Sequence, residues 1–231
     1  MSTKLDSAMS VIRFVIPDLK TKKILEIGCG NGALAAALVA DGAIVTGIDP
    51  NPLAIEQAKL AAPAAEFVQT GAEALPFGKE SFDAVVTVNA LHHVPVEVMY
   101  RSLQEAARVM RPDGQLIVME PLAEGNFFEA LRMIEDETEV RHAAQAALAR
   151  ATKSGLFLPE SGLGYQRREV FENADHFLRR VVAVVPSRAA FVEANHAAVT
   201  EAIHKAAARD ESGKLVLDQP IKVDVFRKMP S

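Results

Sequence analysis

Residues 24–28 (ILEIG) form a short apolar run that closes on glycine and passes directly into an alanine- and leucine-rich stretch at 33–40. A run too short for a helix, followed by one of helical composition, predicts a strand feeding a helix. The unit recurs, with strands at about 43–48, 66–69, 83–88 and 115–120 and helices at 52–61 and 96–110. Such alternation restricts the chain to an α/β fold: a mostly parallel sheet with helices on both faces. Runs such as VVTV and LIVM, apolar along most of their length, fit central strands buried on both sides.

Beyond Glu120 the rhythm changes. Phe127, Leu131, Ile134, Ala144 and Leu148 recur at near-helical spacing, and residues 153–164 (KSGLFLPESGLG) read as a Gly/Ser/Pro-rich loop. A strand at 166–171, helices at about 174–185 and 187–208, and an alternating strand at 220–227 follow. Residues 121–164 read as an insertion between core strands, the usual place for a lid or cap.

At 231 residues the chain can bury a substantial core, and 49% apolar with 24% charged residues is a globular balance. A net charge of −5 argues against nucleic acid as the partner. The lone Cys29 has no partner for an intrachain disulfide, no leader is apparent, and no apolar run is long enough to span a bilayer. A cytoplasmic protein, monomeric or homodimeric and with no membrane partner, is expected.

The segment Glu26-Ile27-Gly28-Cys29-Gly30-Asn31-Gly32 lies at the first strand-to-helix turn, where glycine admits positive φ and lets a ligand approach the backbone. Ala33 completes a dinucleotide pattern, with Asp49 about 20 residues on, so a nicotinamide cofactor fits the turn taken alone. The wider pattern resembles the class I S-adenosylmethionine (SAM)-dependent methyltransferases of the type 11, small-molecule branch. It consists of the acid before the glycines, Gly47-Ile48-Asp49-Pro50-Asn51, Gly71-Ala72-Glu73-Ala74-Leu75-Pro76-Phe77, Ser81-Phe82-Asp83-Ala84-Val85-Val86, and residues 105–116 (EAARVMRPDGQL).

That resemblance implies a Rossmann-like, doubly wound sheet of seven strands, the last antiparallel, with a helical cap. It divides the chain into a SAM-binding core (1–120), a cap (121–164) and a C-terminal part of the core with the acceptor side (165–231). It implies that Glu26 sits near the turn, that Gly28, Cys29 and Gly30 run along the methionine part of SAM, and that Asp49 holds the ribose hydroxyls. Pro50 would pack beside adenine, and Asn89 would meet the methionine amino group. Ala72 stands where relatives often carry Asp, so adenine recognition falls to the backbone of Ala72 and Glu73 or to the Glu73 side chain.

The reaction the resemblance implies is methyl transfer to O, N or C of a small molecule. In-line displacement at a sulfonium needs alignment and water exclusion more than an obligatory catalytic group. His92 and His93, just beyond the fourth strand, are candidates for a general base, as is Glu120. The remaining histidines are scattered without zinc-ligand spacing, so no metal is expected. A SAM-binding module without catalysis, or a nicotinamide oxidoreductase, would share much of this pattern.

Overall fold

The computed structural model describes residues 5–229. The described residues divide into two compact units, one comprising residues 5–120, 143–165 and 222–229, the other residues 121–142 and 166–221.

The first unit opens with α1 (Ala8–Val15), capped by Ser7, whose hydroxyl accepts the Ser10 N–H while the Ser10 hydroxyl takes the Ser7 N–H. Next come β1 (Lys23–Ile27), α2 (Ala33–Ala40), β2 (Ile44–Asp49), α3 (Pro52–Ala61), β3 (Glu66–Gln69), β4 (Phe82–Val88), α4 (Val96–Val109) and β5 (Met110–Pro121). Asn51 begins α3 by accepting the Leu53 N–H, with Pro52 at the first helical position, where its missing N–H costs nothing. Strands β1 to β5 pair in parallel in the order β3-β2-β1-β4-β5. Their core is built from Leu25, Ile48, Val85, Leu116 and Val118 under Met99, Leu103 and Ala106 of α4.

Along the rest of the chain lie α5 (Asn126–Arg132), α6 (Thr138–Lys153), β6 (Phe157–Phe171), α7 (Ala174–Val184), α8 (Ala189–Ala194), α9 (His196–Ala206), the short β7 (Ala208–Arg209) and β8 (Leu215–Lys228). The sheet continues β5-β8-β6. Strand β8 runs against β5: Lys228 Nζ donates to Met110 O (2.6 Å) at the start of β5, and Leu122 N donates to Pro220 O (3.0 Å) just past its end. The path therefore has seven strands with the last antiparallel, as expected, and β7 adds an eighth by pairing with β8.

Three expectations are corrected. Residues 157–165 are strand, not loop: Pro159, Gly162 and Gly164 lie on the outermost strand, where a missing N–H or side chain is tolerated. The helix expected over 187–208 is broken at Asn195 into α8 and α9, preceded by a 3-10 turn at Pro186–Arg188. The final strand begins at Leu215 rather than 220.

In the second unit, Phe127, Phe171 and Phe177 stack edge-on or tilted with ring centroids 5.2–6.5 Å apart, among Leu131, Leu178 and Val199. Phe127 and Phe128 are buried there, and Phe157 is buried in the first unit against Phe226. Among the described residues no helix is long and apolar enough to cross a membrane.

Candidate cofactor site at the first strand-to-helix turn

Strand order places the site. The connections from β1 and β4 leave in opposite directions across the sheet, and ligands bind beyond the strand ends at such a switch point. Register brings the ends together: Ile27 lies opposite Ile48 and Thr87, and Asp49 opposite Gln69. Beyond them stand Gly28 to Gly32, Asn89 and Ala90.

Gly28, Gly30 and Gly32 all have positive φ (75°, 50° and 78°). A Cβ on Gly28 would collide with the Ala90 Cβ, so the turn packs backbone-close against the end of β4. A Cβ on Gly30 would touch nothing within 4 Å. Four of the five N–H groups of residues 28–32 are committed within the fold. Those of Gly28 and Cys29 both donate to Ile48 O (2.8 and 2.9 Å), that of Gly30 to Asp49 Oδ2 (3.0 Å), and that of Gly32 to Cys29 O (2.9 Å). At the start of α2, Ala33 N donates to Asn31 Oδ1 (3.3 Å) and Ala35 N to the Glu26 carboxyl. A pyrophosphate site needs these donors free. Here most of them already have acceptors within the fold.

Around these strand ends, three side-chain oxygens lack partners. Glu26 Oε2, Thr87 Oγ1 and Asn89 Oδ1 are buried with no hydrogen-bond partner. Thr87 carried no sequence signal, because its strand reads as uninterrupted core. Burial pushes the Glu26 carboxyl up to about 8, against the Ala35 N–H and with help from Asp49. Its ordinary value is 4.5, so between these limits the folded state holds a proton that the unfolded state has released. Stability therefore falls as pH rises from about 4.5 through 8. Thermal denaturation between pH 5 and 9 should show this decline, and Glu26→Gln should flatten it and raise the melting temperature at neutral pH.

Asp49, half-buried at the end of β2, also accepts the Asn51 N–H at 2.9 Å. Pro50 is exposed, with its carbonyl accepting from Gln69 Nε2 (3.3 Å). Ala72 is buried, and the Glu73 carboxylate folds back over Gly71. This segment is fixed by Arg108, which donates to Leu75 O (2.9 Å) and Phe77 O (2.7 Å) while paired with buried Glu105. Asn89 is in the left-handed region (φ 52°), where Asn is among the better-tolerated side chains.

Cys29 lies buried behind the turn, and burial, aided by Glu26 and Asp49, raises its thiol to about 12. It should resist iodoacetamide at pH 8 in the native protein and react only on denaturation. Labelling at the same rate in both states would contradict this environment.

His92 and His93 lie on a 3-10 turn (Leu91–His93) after β4, their ring centroids 4.1 Å apart. Glu120, 1% exposed, accepts the N–H groups of Ala90 (3.0 Å), Leu91 (2.9 Å) and His92 (3.3 Å) and meets His92 Nδ1 at 2.5 Å. The Glu120 carboxyl thus anchors the turn and one imidazole at once. His92 is buried and His93 exposed.

Residues 25–118 match the family model described as "Methyltransferase domain". This segment is similar to the methyltransferase domains of that family. An uncharacterized methyltransferase of Synechocystis is 39% identical over 93 residues, covering 40% of this chain and 44% of the relative. A phthiotriol/phenolphthiotriol dimycocerosates methyltransferase of Mycobacterium leprae is 42% identical over 106 residues, covering 43% of this chain and 37% of that protein. The chain thus spans less than half the length of these curated relatives. The YcgJ protein of Bacillus subtilis shares the fold, with a TM-score of 0.68 at 20% identity over 96% of this chain and 98% of its own. The cofactor of the family is SAM, and the methyltransferase domain fits it. An ammonium and a sulfonium suit buried oxygens without partners, and Gly30 leaves room for backbone approach.

Proposed function

We propose that the protein transfers the methyl group of SAM to an O, N or C atom of a small-molecule acceptor. The observation that carries this reading is the end of β1 and β4: most N–H donors of the turn are used within the fold, and the unpartnered side-chain groups of Glu26, Thr87 and Asn89 are buried oxygens. That arrangement favours a cation and disfavours a dinucleotide pyrophosphate. SAM, when bound, supplies a methyl carbon activated by a positively charged sulfur.

In this reading Glu26 and Asn89 receive the amino end of the cofactor, and Gly28, Cys29 and Gly30 give close backbone approach. Asp49 accepts from the ribose hydroxyls, while Pro50, Ala72 and Glu73 border the adenine. His92 is the base: Nδ1 lies against Glu120, which leaves Nε2 as the ring nitrogen to take a proton from an acceptor hydroxyl. His93 lies beside it as the second candidate. Replacing His92 by Asn should lower kcat at least about tenfold with KM little changed.

The name of the mycobacterial relative points to an apolar, hydroxyl-bearing acceptor. The test is release of S-adenosylhomocysteine from SAM over a panel of phenols, long-chain alcohols, amines and acidic carbon compounds. Product formed with one class assigns the acceptor. SAM binding with no product across the panel would favour a binding module without catalysis.

A further inference from the structure

We propose that the outer edge of β6 joins a second copy of this chain in an antiparallel pair centred on Gly164, making one continuous sheet of two molecules. Strand β6 ends the sheet order, so no other strand covers its outer edge among the described residues. It is 15 residues long, and a long open edge is a template for pairing unless protected. Its single proline, Pro159, lies near one end and leaves residues 160–168 for a backbone ladder.

The side chains are self-complementary in one register. With Gly164 on the two-fold axis, Leu158 falls opposite the partner's Val170 and Glu160 opposite the partner's Arg168. These positions share the same parity and therefore the same face of the strand. Leu158 and Val170 are 46% and 47% exposed, unusual for large apolar side chains on a strand. Shifting the register by one residue sets Leu158 against Glu169 or the acid Glu160 against Glu169, so the centred register is the one that matches both apolar and charged pairs.

Existing ion pairs extend the match. Within the chain Glu160 accepts from Arg227 Nε (2.7 Å) and Gln115 Nε2 (2.8 Å), and Arg168 donates to Asp218 (2.8 and 3.0 Å). Pairing would produce a row of alternating sign: Arg227, Glu160, the partner's Arg168, the partner's Asp218. Two-fold symmetry repeats that row on the other side of the axis.

Sedimentation velocity of the full chain from about 1 to 100 µM should show a species of twice 24.9 kDa. Glu160→Arg places like charges opposite one another twice per dimer and should weaken association about tenfold or more; Arg168→Glu should do the same. The double variant restores opposite pairing and should associate within about threefold of the unaltered chain. Val170→Lys changes an exposed side chain without removing a hydrogen bond within the chain, and should favour monomer with unchanged far-ultraviolet circular dichroism. A chain that stays monomeric throughout, or a dimer indifferent to all four variants, would overturn the proposal.

Discussion

Replacing Asp49 by alanine is expected to weaken SAM binding by about ten- to a hundredfold, read by isothermal titration calorimetry. Two losses combine. Oδ2 holds the Gly30 N–H and Oδ1 the Asn51 N–H, so the carboxylate ties the glycine turn to the start of α3. In the proposed pose the same oxygens also receive the ribose hydroxyls. Leaving buried donors unmet costs about 1–3 kcal/mol each. Asp49→Asn keeps one acceptor oxygen, so it should fall between the two. Affinity unchanged by Asp49→Ala would remove Asp49 from the site.

Gly28→Ala should be the most destabilising small substitution in the turn. The new Cβ would run into that of Ala90, and φ of 75° is itself unfavourable for a side chain. The combined cost is about 2–4 kcal/mol, a fall in melting temperature of about 4–16 °C for a chain of this size. Gly30→Ala separates strain from ligand approach. Its φ of 50° is also positive, but its Cβ would meet nothing within 4 Å, so stability should change by only about 1 kcal/mol. The same methyl group lies where the cofactor is proposed to approach, so SAM affinity should drop further than stability. Equal stability losses at the two positions would contradict the packing described.

Much of this was legible in the sequence where signals are local. From β1 to β5 the apolar runs, the glycine turn and the Asn51-Pro52 start of α3 bring the expected elements within a few residues of those observed. Non-local pairing was not legible. Strand β6 carries Pro159, Gly162 and Gly164, local marks of a loop, yet pairing with β8 makes it a strand. Helix α1 has its capping box, Ser7 with Ser10, but in a short stretch that periodicity alone did not single out.

The site divides the same way. Glu26, Gly28, Gly30 and Asp49 are close in sequence to the strand ends that bring them together, so motif spacing locates them. Glu120 lies 28 residues beyond His92, and only the parallel register of β4 on β5, Val88 opposite Met119, sets its carboxyl beneath the 90–92 turn. The unpartnered oxygens of Thr87 and Asn89 likewise appear only once the strands are aligned.

The central claim is that the region after β1 is built for a cation-bearing cofactor, through side-chain oxygens without partners and with most of the turn's N–H donors already committed. Calorimetry with SAM, S-adenosylhomocysteine and NAD, run side by side on the full chain, tests it most directly. SAM and S-adenosylhomocysteine should bind with Kd in the range of about 1–100 µM, with Glu26→Gln weakening SAM, and NAD should give no heat at about 1 mM. Saturable binding of NAD with none of SAM would contradict the account.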